Sequence, residues 1–118
     1  MSVKACRSGS AGRSICVFDL GKTNKKLLVF DEDLRIVEER MPPNAHEERH
    51  HHSRARQFFY VLSGTLTIEL DGREHTVSAG SGLHVPAGTP HLVANRAQDA
   101  ATFLAIASPT TAGDRHVT

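Results

Sequence analysis

The chain has 118 residues, a formal net charge of +1 and a hydrophobic content of 39%. This length suits one modest hydrophobic core but not two, and a charged fraction of 23% is ordinary for a globular protein. The small net charge excludes a strong attraction to nucleic acid or to an anionic membrane. No apolar run approaches the roughly 20 residues that cross a bilayer, so we expect neither partner.

The N-terminal segment 1–14 is rich in Ser, Gly, Ala and Arg, and it predicts a flexible arm ahead of a single domain over residues 15–118. It lacks the apolar stretch of a signal peptide, so we expect a cytoplasmic location. Cys6 and Cys16 lack the spacing of a zinc knuckle, and two cysteines do not indicate a disulfide framework.

Strand patterns follow the arm almost without interruption. The runs 15–20 and 26–31 flank the turn-forming cluster GKTNK and predict a hairpin. The run 33–41 alternates apolar and polar residues and stops at two prolines, which cannot donate to a ladder. Next, QFFYVLSGTLTIELDGREHTVSAG predicts three strands, and its Asp71–Gly72 step indicates a tight hairpin because both residues accept positive φ.

Three further strands are predicted from GLHVP, HLVAN and ATFLAIAS. No segment carries an apolar period of 3.6 residues over the length of a helix. About ten short strands with Gly and Pro at the breaks are typical of a β-sandwich or a β-barrel. We therefore predict an all-β domain, with apolar bulk for its interior from Phe59, Tyr60, Val61, Phe103 and Ile106.

Histidine is the most unusual feature of the composition, with eight in the chain. His50, His51 and His52 are consecutive, and on a strand His50 and His52 share one face while His51 points to the other. Histidine is the commonest metal ligand in proteins. In isolation, however, such a run is equally consistent with a solvated loop or a fortuitous chelating surface.

A second histidine motif identifies a family resemblance. The segment GSGLHVPAGTPHLVAN resembles the second motif of the cupin superfamily, G-x5-P-x-G-x2-H-x3-N, position for position. The matching residues are Gly80, Pro86, Gly88, His91 and Asn95. The first cupin motif, G-x5-H-x-H-x3–4-E-x6-G, is matched by His50, His52 and Gly64, with Gln57 where the glutamate usually stands and Asn44 at the leading glycine.

The resemblance implies a fold and a metal site. The fold is a double-stranded β-helix, or jelly-roll cupin barrel, here with an extra N-terminal β-hairpin. The implied site has His50, His52, Gln57 and His91 converging on one divalent transition metal, with iron, manganese, nickel, copper and zinc all compatible with these ligands. The Gln57 amide oxygen can bind the metal directly or hydrogen-bond a metal-bound water, and both alternatives stay open.

The remaining charged and imidazole side chains have plainer interpretations. We expect His51 to face outward, His84 to be an ordinary strand histidine or to support a metal ligand, and three others to be solvated: His46, His75 and His116. The arginines Arg49, Arg54 and Arg56 surround the first motif, where they either attract an anion or solubilise a loop. No catalytic residue is assigned, and Glu47 and Glu48 are only candidate bases.

Neutral protein ligands leave the charge of a divalent metal uncompensated, so we expect a small anionic or chelating ligand in the barrel. The resemblance implies a metal-dependent oxygenase, isomerase or lyase. A non-catalytic binding or sensing module and a structural protein with a vestigial site are the alternatives, since neither motif contains an evident acid–base partner. Related cupins are commonly dimers, so we expect a homodimer.

The hairpin at 17–31 carries a second, weaker resemblance. Its residues Asp19, Gly21, Thr23 and Asn24 match the D-x-G-x-T-N opening of carbohydrate kinases of the actin-like ATPase superfold. Such kinases close two large domains over ATP, for which 118 residues leave no room. We therefore interpret the segment as an extra hairpin that covers one edge of the barrel.

Overall fold

The computed structural model describes residues 2–8, 14–19, 25–31, 34–109, 111 and 113–118, with side chains from Leu34 onward. Within these ranges the chain forms strands, turns and loops and no helix, so no helix there is long and apolar enough to cross a membrane. The strands are β1 (Ser2–Ser8), β2 (Ser14–Asp19), β3 (Lys25–Asp31), β4 (Leu34–Met41), β5 (His50–His52), β6 (Arg56–Ser63), β7 (Thr65–Leu70), β8 (Arg73–Ser78), β9 (Gly82–Val85), β10 (His91–Ala94), β11 (Ala101–Ser108) and β12 (Arg115–Val117). The prediction of an all-β chain is confirmed.

Two antiparallel sheets make up the domain. One has seven strands in the order β1-β2-β3-β4-β11-β6-β9, and the other has five in the order β12-β5-β10-β7-β8. From β4 onward, successive strands alternate between the two sheets except at the β7–β8 hairpin, as in a jelly roll. The strands predicted after the arm all occur, whereas β1 and β12 were not predicted.

The N-terminal hairpin pairs β2 with β3 through residues such as Cys16 opposite Val29, and β3 continues onto β4. Its turn, which carries Gly21, Thr23 and Asn24, lies outside the described residues. Strand β1 falls within the segment predicted as an arm and pairs with β2, with Cys6 opposite Cys16. The flexibility of residues 1–14 and the boundary at residue 15 stay predictions.

The core lies between the inner faces of the two sheets. Phe59, Val61 and Phe103 come from the larger sheet, and Leu66 and Ile68 belong to the smaller one. The alternate residues of β6 point outward, which leaves Phe58 and Leu62 39% and 43% exposed.

One core expectation is wrong. Ile106 was expected to fill the barrel interior together with Phe103, but it is register partner to the outward-facing Phe58. Phe103 is paired with the buried Val61 instead. Since strand side chains alternate, two residues three apart in β11 cannot share a face.

Backbone conformation explains two positions of the first cupin-like motif, the departure at Asn44 and the match at Gly64. Asn44 has a φ of 64°, in the left-handed region where glycine is favoured and asparagine is the best-tolerated substitute. Gly64 has a φ of +78°, and a Cβ there would lie 2.6 Å from the Ala100 carbonyl oxygen. The first position tolerates a non-glycine residue because only the backbone angle is demanding, whereas the second also lacks space.

The Asp71–Gly72 turn is confirmed as a tight hairpin. Both residues have positive φ, 50° and 83°, as a type I′ turn requires. The flanking residues Leu70 and Arg73 are register partners that join β7 to β8.

Candidate metal centre

Three histidines meet inside the smaller sheet. His50 and His52 lie on β5, and His91 begins the neighbouring β10 as the register partner of His50. All three are buried, and their potential ligand nitrogens lie within 4.8 Å of one another. Among the residues the structure describes, no cysteine or carboxylate joins this cluster. The structure therefore brings together the three imidazoles that sequence reasoning had placed on one site.

Each imidazole is oriented by a backbone carbonyl. A carbonyl oxygen only accepts, so each Nδ1 carries the hydrogen and each Nε2 presents a lone pair. Such outer contacts fix both the tautomer and the ring orientation of metal-binding histidines. The bonds run from His50 to Glu48 O at 2.8 Å, from His52 to Asp114 O at 2.9 Å and from His91 to Thr89 O at 3.0 Å.

Burial keeps these rings neutral. Desolvation lowers the pKa of His91 to about 4, against the opposing effect of the Thr89 carbonyl. Burial likewise lowers the pKa values of His50 and His52. A neutral imidazole is the form that binds a metal, so near neutral pH no proton has to leave before an ion enters.

Several polar atoms at the centre are buried and have no hydrogen-bond partner within the described parts of the chain. They are Nε2 of His52, Nε2 of His91 and Oε1 of Gln57. A buried polar atom without a partner costs about 1–3 kcal/mol. A metal ion would satisfy these acceptors together, so the residues present fit a divalent metal.

Gln57 faces the histidines from the larger sheet. It lies on β6 with its side chain on the same face as the buried Phe59 and Val61, as alternation along the strand predicts. Its amide is close enough to the His52 ring to raise the pKa of that imidazole, against the larger lowering by burial. The position of Gln57 is thus compatible with either alternative left open by the sequence.

Asp114 supports the site and was missed by sequence reasoning. Its carboxylate accepts three backbone N–H bonds from the loop between β5 and β6, and its carbonyl accepts the His52 Nδ1–H. The three donors are Ser53, Arg54 and Ala55, at 2.9 to 3.0 Å. These bonds hold the pKa of Asp114 well below its usual range. They also shape the loop that lets Gln57 approach the histidines.

A lone aspartate in a C-terminal tail gives no sequence signal for this role, because its partners lie some sixty residues earlier. The tail continues into β12, whose residues pair with β5, including Arg115 opposite His52. The C-terminal segment therefore supports β5, the strand that carries His50 and His52.

The other histidines lie away from the cluster. His51 points to the opposite side of β5, where its ring stacks on that of His116 with centroids 5.1 Å apart. His46, His84 and His116 are exposed, whereas His75 is half-buried rather than fully solvated. The outward orientation expected for His51 thus corresponds to a specific ring contact.

The candidate bases and arginines have defined positions. Glu48 is exposed and contributes its carbonyl to His50 rather than its carboxylate. Arg49 forms an ion pair with Glu69, while Arg54 and Arg56 are exposed. Glu47 donates its backbone N–H to Val93 at 2.9 Å. Neither glutamate lies in the histidine cluster.

Known proteins resemble this chain in sequence and fold. The polyketide synthase CurC of Streptomyces cyaneus is 30% identical over 69 residues, covering 58% of this chain and 45% of that protein. This chain thus spans less than half the length of that relative. A sugar phosphate isomerase from a cupin superfamily of Silicibacter pomeroyi shares 27% identity and a TM-score of 0.64, over 74% of this chain and 60% of the isomerase.

A third likeness concerns the fold alone. An uncharacterized conserved protein with a double-stranded β-helix domain from Klebsiella pneumoniae has a TM-score of 0.72 at 19% identity. The match covers 86% of this chain and 89% of that one. The architecture of two facing antiparallel sheets is therefore that of a double-stranded β-helix.

The family itself follows from the sequence match. Residues 37–107 match the family model of the cupin domain, Cupin_2. That range is more than half of the chain and includes the three clustered histidines and Gln57, but it ends before Asp114. The chain belongs to the cupin domain family.

Proposed function

We propose that this cupin is a small metal-dependent enzyme acting on a small anionic, chelating substrate inside the barrel. The observation that carries the proposal is the convergence of three buried, neutral imidazoles whose Nδ1 atoms are all bonded to backbone carbonyls. Burying three such groups around a shared centre is costly without a ligand. A bound cation offsets that cost.

The proposed ligands are His50, His52 and His91 through Nε2, with Gln57 as a fourth through Oε1. The Oε1 of Gln57 has no hydrogen-bond partner among the described residues, so it is available to the metal, and we propose direct ligation rather than a role in holding a water. A divalent transition metal supplies Lewis acidity when bound, which polarises a carbonyl or lowers the pKa of a coordinated water. Iron, manganese, nickel, copper and zinc all suit imidazole ligands.

The charge of the site supports the substrate class. Three imidazoles and an amide contribute no negative charge, so the ion keeps its full double charge until a substrate binds. An oxyanion with a second oxygen donor would complete the coordination. The likeness to a sugar phosphate isomerase supports an isomerase over the oxygenase and lyase alternatives, since a sugar phosphate is an anion with adjacent oxygen donors.

A binding or sensing cupin without catalysis is the second candidate. The observation favouring it is that, among the described side chains, no carboxylate accompanies the three histidines. An enolising isomerase needs a group that moves a proton between carbons, and general bases are most often His, Glu, Asp or Lys. The two candidates therefore differ in turnover and not in metal or anion affinity.

We further propose that the chain is a cytoplasmic homodimer. The outer face of the larger sheet exposes Phe58 and Leu62 beside the half-buried Ile106, and exposed apolar patches often mark association surfaces. Light scattering on a sizing column should give twice the 12.8 kDa chain mass. A monomer at micromolar concentration would contradict it.

The test of function uses protein stripped of metal and reloaded with each candidate ion. We expect one ion per chain by elemental analysis. Incubation with aldose and ketose phosphates and with 2-hydroxy and 2-keto acids in D₂O should incorporate deuterium next to a carbonyl, followed by ¹H NMR. The metal-free protein and His52→Ala are the controls and should be inactive.

The outcomes separate the candidates. Metal-dependent exchange or isomerisation supports the isomerase, whereas consumption of O₂ with these substrates supports an oxygenase. Tight metal and anion binding with no turnover of any substrate supports the binding module. Failure to bind any of the metals rejects the proposed centre itself.

A further inference from the structure

Arg35 occupies the inner face of the larger sheet at the level of the metal centre. On β4 it is the register partner of Ala107 in β11, and Ala107 is in turn the partner of Gln57 in β6. Residues directly opposite in an antiparallel sheet share a face, so all three side chains point into the barrel. Two strand spacings separate Arg35 from Gln57, about 10 Å between backbones.

The residue between them leaves room for the arginine side chain. Ala107 is buried, and its neighbour on the same face, Ala105, is equally small. A long side chain at either position would fill the space between Arg35 and Gln57. At these two positions, therefore, no large side chain stands between Arg35 and Gln57.

Among the side chains that the structure describes, the guanidinium of Arg35 finds one weak hydrogen-bond partner. Its Nη1 donates to the Thr111 hydroxyl at 3.4 Å, a long bond, and its Nε is buried without a hydrogen-bond partner. Among the side chains that the structure describes, from Leu34 onward, no carboxylate forms an ion pair with it. Asp114 lies next to this contact, since its backbone N–H donates to the Thr111 carbonyl. Its carboxylate, however, is already bonded to three backbone N–H groups.

Both partners of this contact lie outside the range that matches the family model. Arg35 precedes residues 37–107, and Thr111 follows them. The contact links the start of β4 to the C-terminal segment that also carries Asp114. The same end of the barrel therefore holds the metal-site frame and an incompletely bonded guanidinium.

We propose that Arg35 is the oxyanion anchor of the barrel: its guanidinium binds a carboxylate or phosphate group of the ligand whose other oxygen reaches the metal. This inference rests on the proposed metal centre for the second contact of the ligand. Guanidinium groups bind planar carboxylates and phosphates through two parallel N–H bonds. A site with neutral metal ligands and one cationic anchor selects an oxyanion that contacts Arg35 and also offers an oxygen donor to the metal.

The test measures binding of two oxyanion probes, inorganic phosphate and glycolate, by isothermal titration calorimetry. Each probe is titrated into metal-free and cobalt-loaded wild type, Arg35→Gln and Arg35→Lys. We expect Arg35→Gln to weaken both probes by roughly 10- to 100-fold, the equivalent of losing charge-assisted hydrogen bonds. Arg35→Lys keeps the positive charge but cannot form the two parallel N–H bonds, so its affinity for the probes should lie between those of wild type and Arg35→Gln.

Two matched variants separate ligand binding from a structural role. Arg40→Gln makes the same change on the exposed side of β4, and Thr111→Val removes the hydroxyl that Arg35 contacts. Both should keep oxyanion affinity within about twofold of wild type, as exposed charges and single weak bonds contribute little. Cobalt content and melting temperature of every variant are measured alongside, to establish that each is folded and loaded.

The probes also distinguish the two sources of the anion. Tighter binding of phosphate indicates a phosphorylated ligand, whereas tighter binding of glycolate indicates a hydroxy acid. Unchanged affinity in Arg35→Gln, or no probe binding to wild type at millimolar concentration, overturns the anchor. If wild type binds no metal, the proposed centre fails, and Arg35-dependent binding to the metal-free protein still decides this inference.

Discussion

The two sheets face the same centre but are built for it differently. The smaller sheet supplies three imidazoles whose Nδ1 atoms are each fixed by a backbone carbonyl. The larger sheet supplies Gln57 and Arg35, each with a buried polar atom that the described protein leaves unpaired. The unpaired Nε2 atoms of His52 and His91 are held in place for a metal ion, which Gln57 is proposed to bind from the opposite sheet, whereas the cationic guanidinium of Arg35 suits an exchangeable anionic ligand.

The family match covers the histidines of the smaller sheet but not every residue that faces them from the larger sheet. It therefore does not by itself define the chemistry of the site. The histidine side is the shared cupin feature, and the match over residues 37–107 contains it completely. The facing side departs from the common pattern at Gln57 and includes Arg35, which the match does not reach. Specificity for a ligand is therefore expected to depend mainly on the larger sheet.

Removal of an imidazole should have the largest effect. His91→Ala eliminates one of three fixed ligands, and we expect metal affinity to fall by more than the roughly 100-fold that is typical for outer contacts. Competition with a chromophoric chelator measures the change. His84→Ala, on an exposed strand position, is the control and should bind like wild type. Equal losses of metal affinity in both variants would contradict the assignment of His91 as a metal ligand.

Asp114→Asn should have the next largest effect, since an amide cannot accept from three N–H groups as a carboxylate does. We expect metal affinity to fall by roughly 10- to 100-fold and the melting temperature by roughly 5–10 °C. Asp71→Asn, in an exposed turn, is the matched control. If Asp114→Asn has the same melting temperature as the wild type, the C-terminal segment does not support the site through Asp114.

The same aspartate predicts an acid dependence. Because bonding lowers the pKa of Asp114 in the folded chain, its stabilisation is present above about pH 4, the pKa of unfolded aspartate, and is lost as the pH falls further. The difference in melting temperature between wild type and Asp114→Asn should therefore shrink below that pH. A difference that stays constant down to pH 3 would contradict the linkage.

Gln57→Glu should convert the facing side into a permanent anionic ligand. We expect metal affinity to rise by about tenfold, while the oxyanion probes lose affinity because the new carboxylate neutralises the metal and competes for Arg35. Titration of cobalt and then of phosphate measures both changes. Gln57→Ala is the comparison and should weaken metal binding, because it removes the proposed amide ligand; unchanged metal affinity would show that Gln57 does not bind the metal directly. A rise in oxyanion affinity in Gln57→Glu would contradict the division of roles.

The smallest effect is expected for His51→Ala. The side chain lies between two proposed ligands in sequence but stacks on His116 outside the site. Metal affinity should stay within about twofold of wild type, since ring contacts at partly exposed positions are weak. Chelator competition measures it. A large loss of metal affinity would show that His51 contributes to the site, contrary to its position on the opposite face of β5 from His50 and His52.

The sequence predicted the histidine side because its constraints are local. His50 and His52 share a face through strand alternation, and the resemblance to the second cupin motif implied that His91 joins them. Even the departure at Asn44 is explained locally, since its φ of 64° favours glycine but tolerates asparagine.

The supporting residues could not be predicted in the same way. Asp114 bonds residues 53–55 across some sixty positions, and Arg35 reaches Thr111 across 76. Such contacts depend on the three-dimensional course of the C-terminal segment, and no periodicity or motif in the sequence encodes it. Ile106 failed for a simpler reason, because its face follows from a register that only the pairing with β6 defines.

The central claim is that the fixed imidazoles hold a metal ion, and X-ray absorption spectroscopy of the cobalt- or zinc-loaded chain tests it most directly. We predict multiple-scattering features of three imidazoles with metal–nitrogen distances of about 2.0–2.1 Å, together with oxygen ligands, and two imidazoles in His91→Ala. A spectrum of the wild type with fewer than three imidazoles, or one unchanged by His91→Ala, would contradict the account.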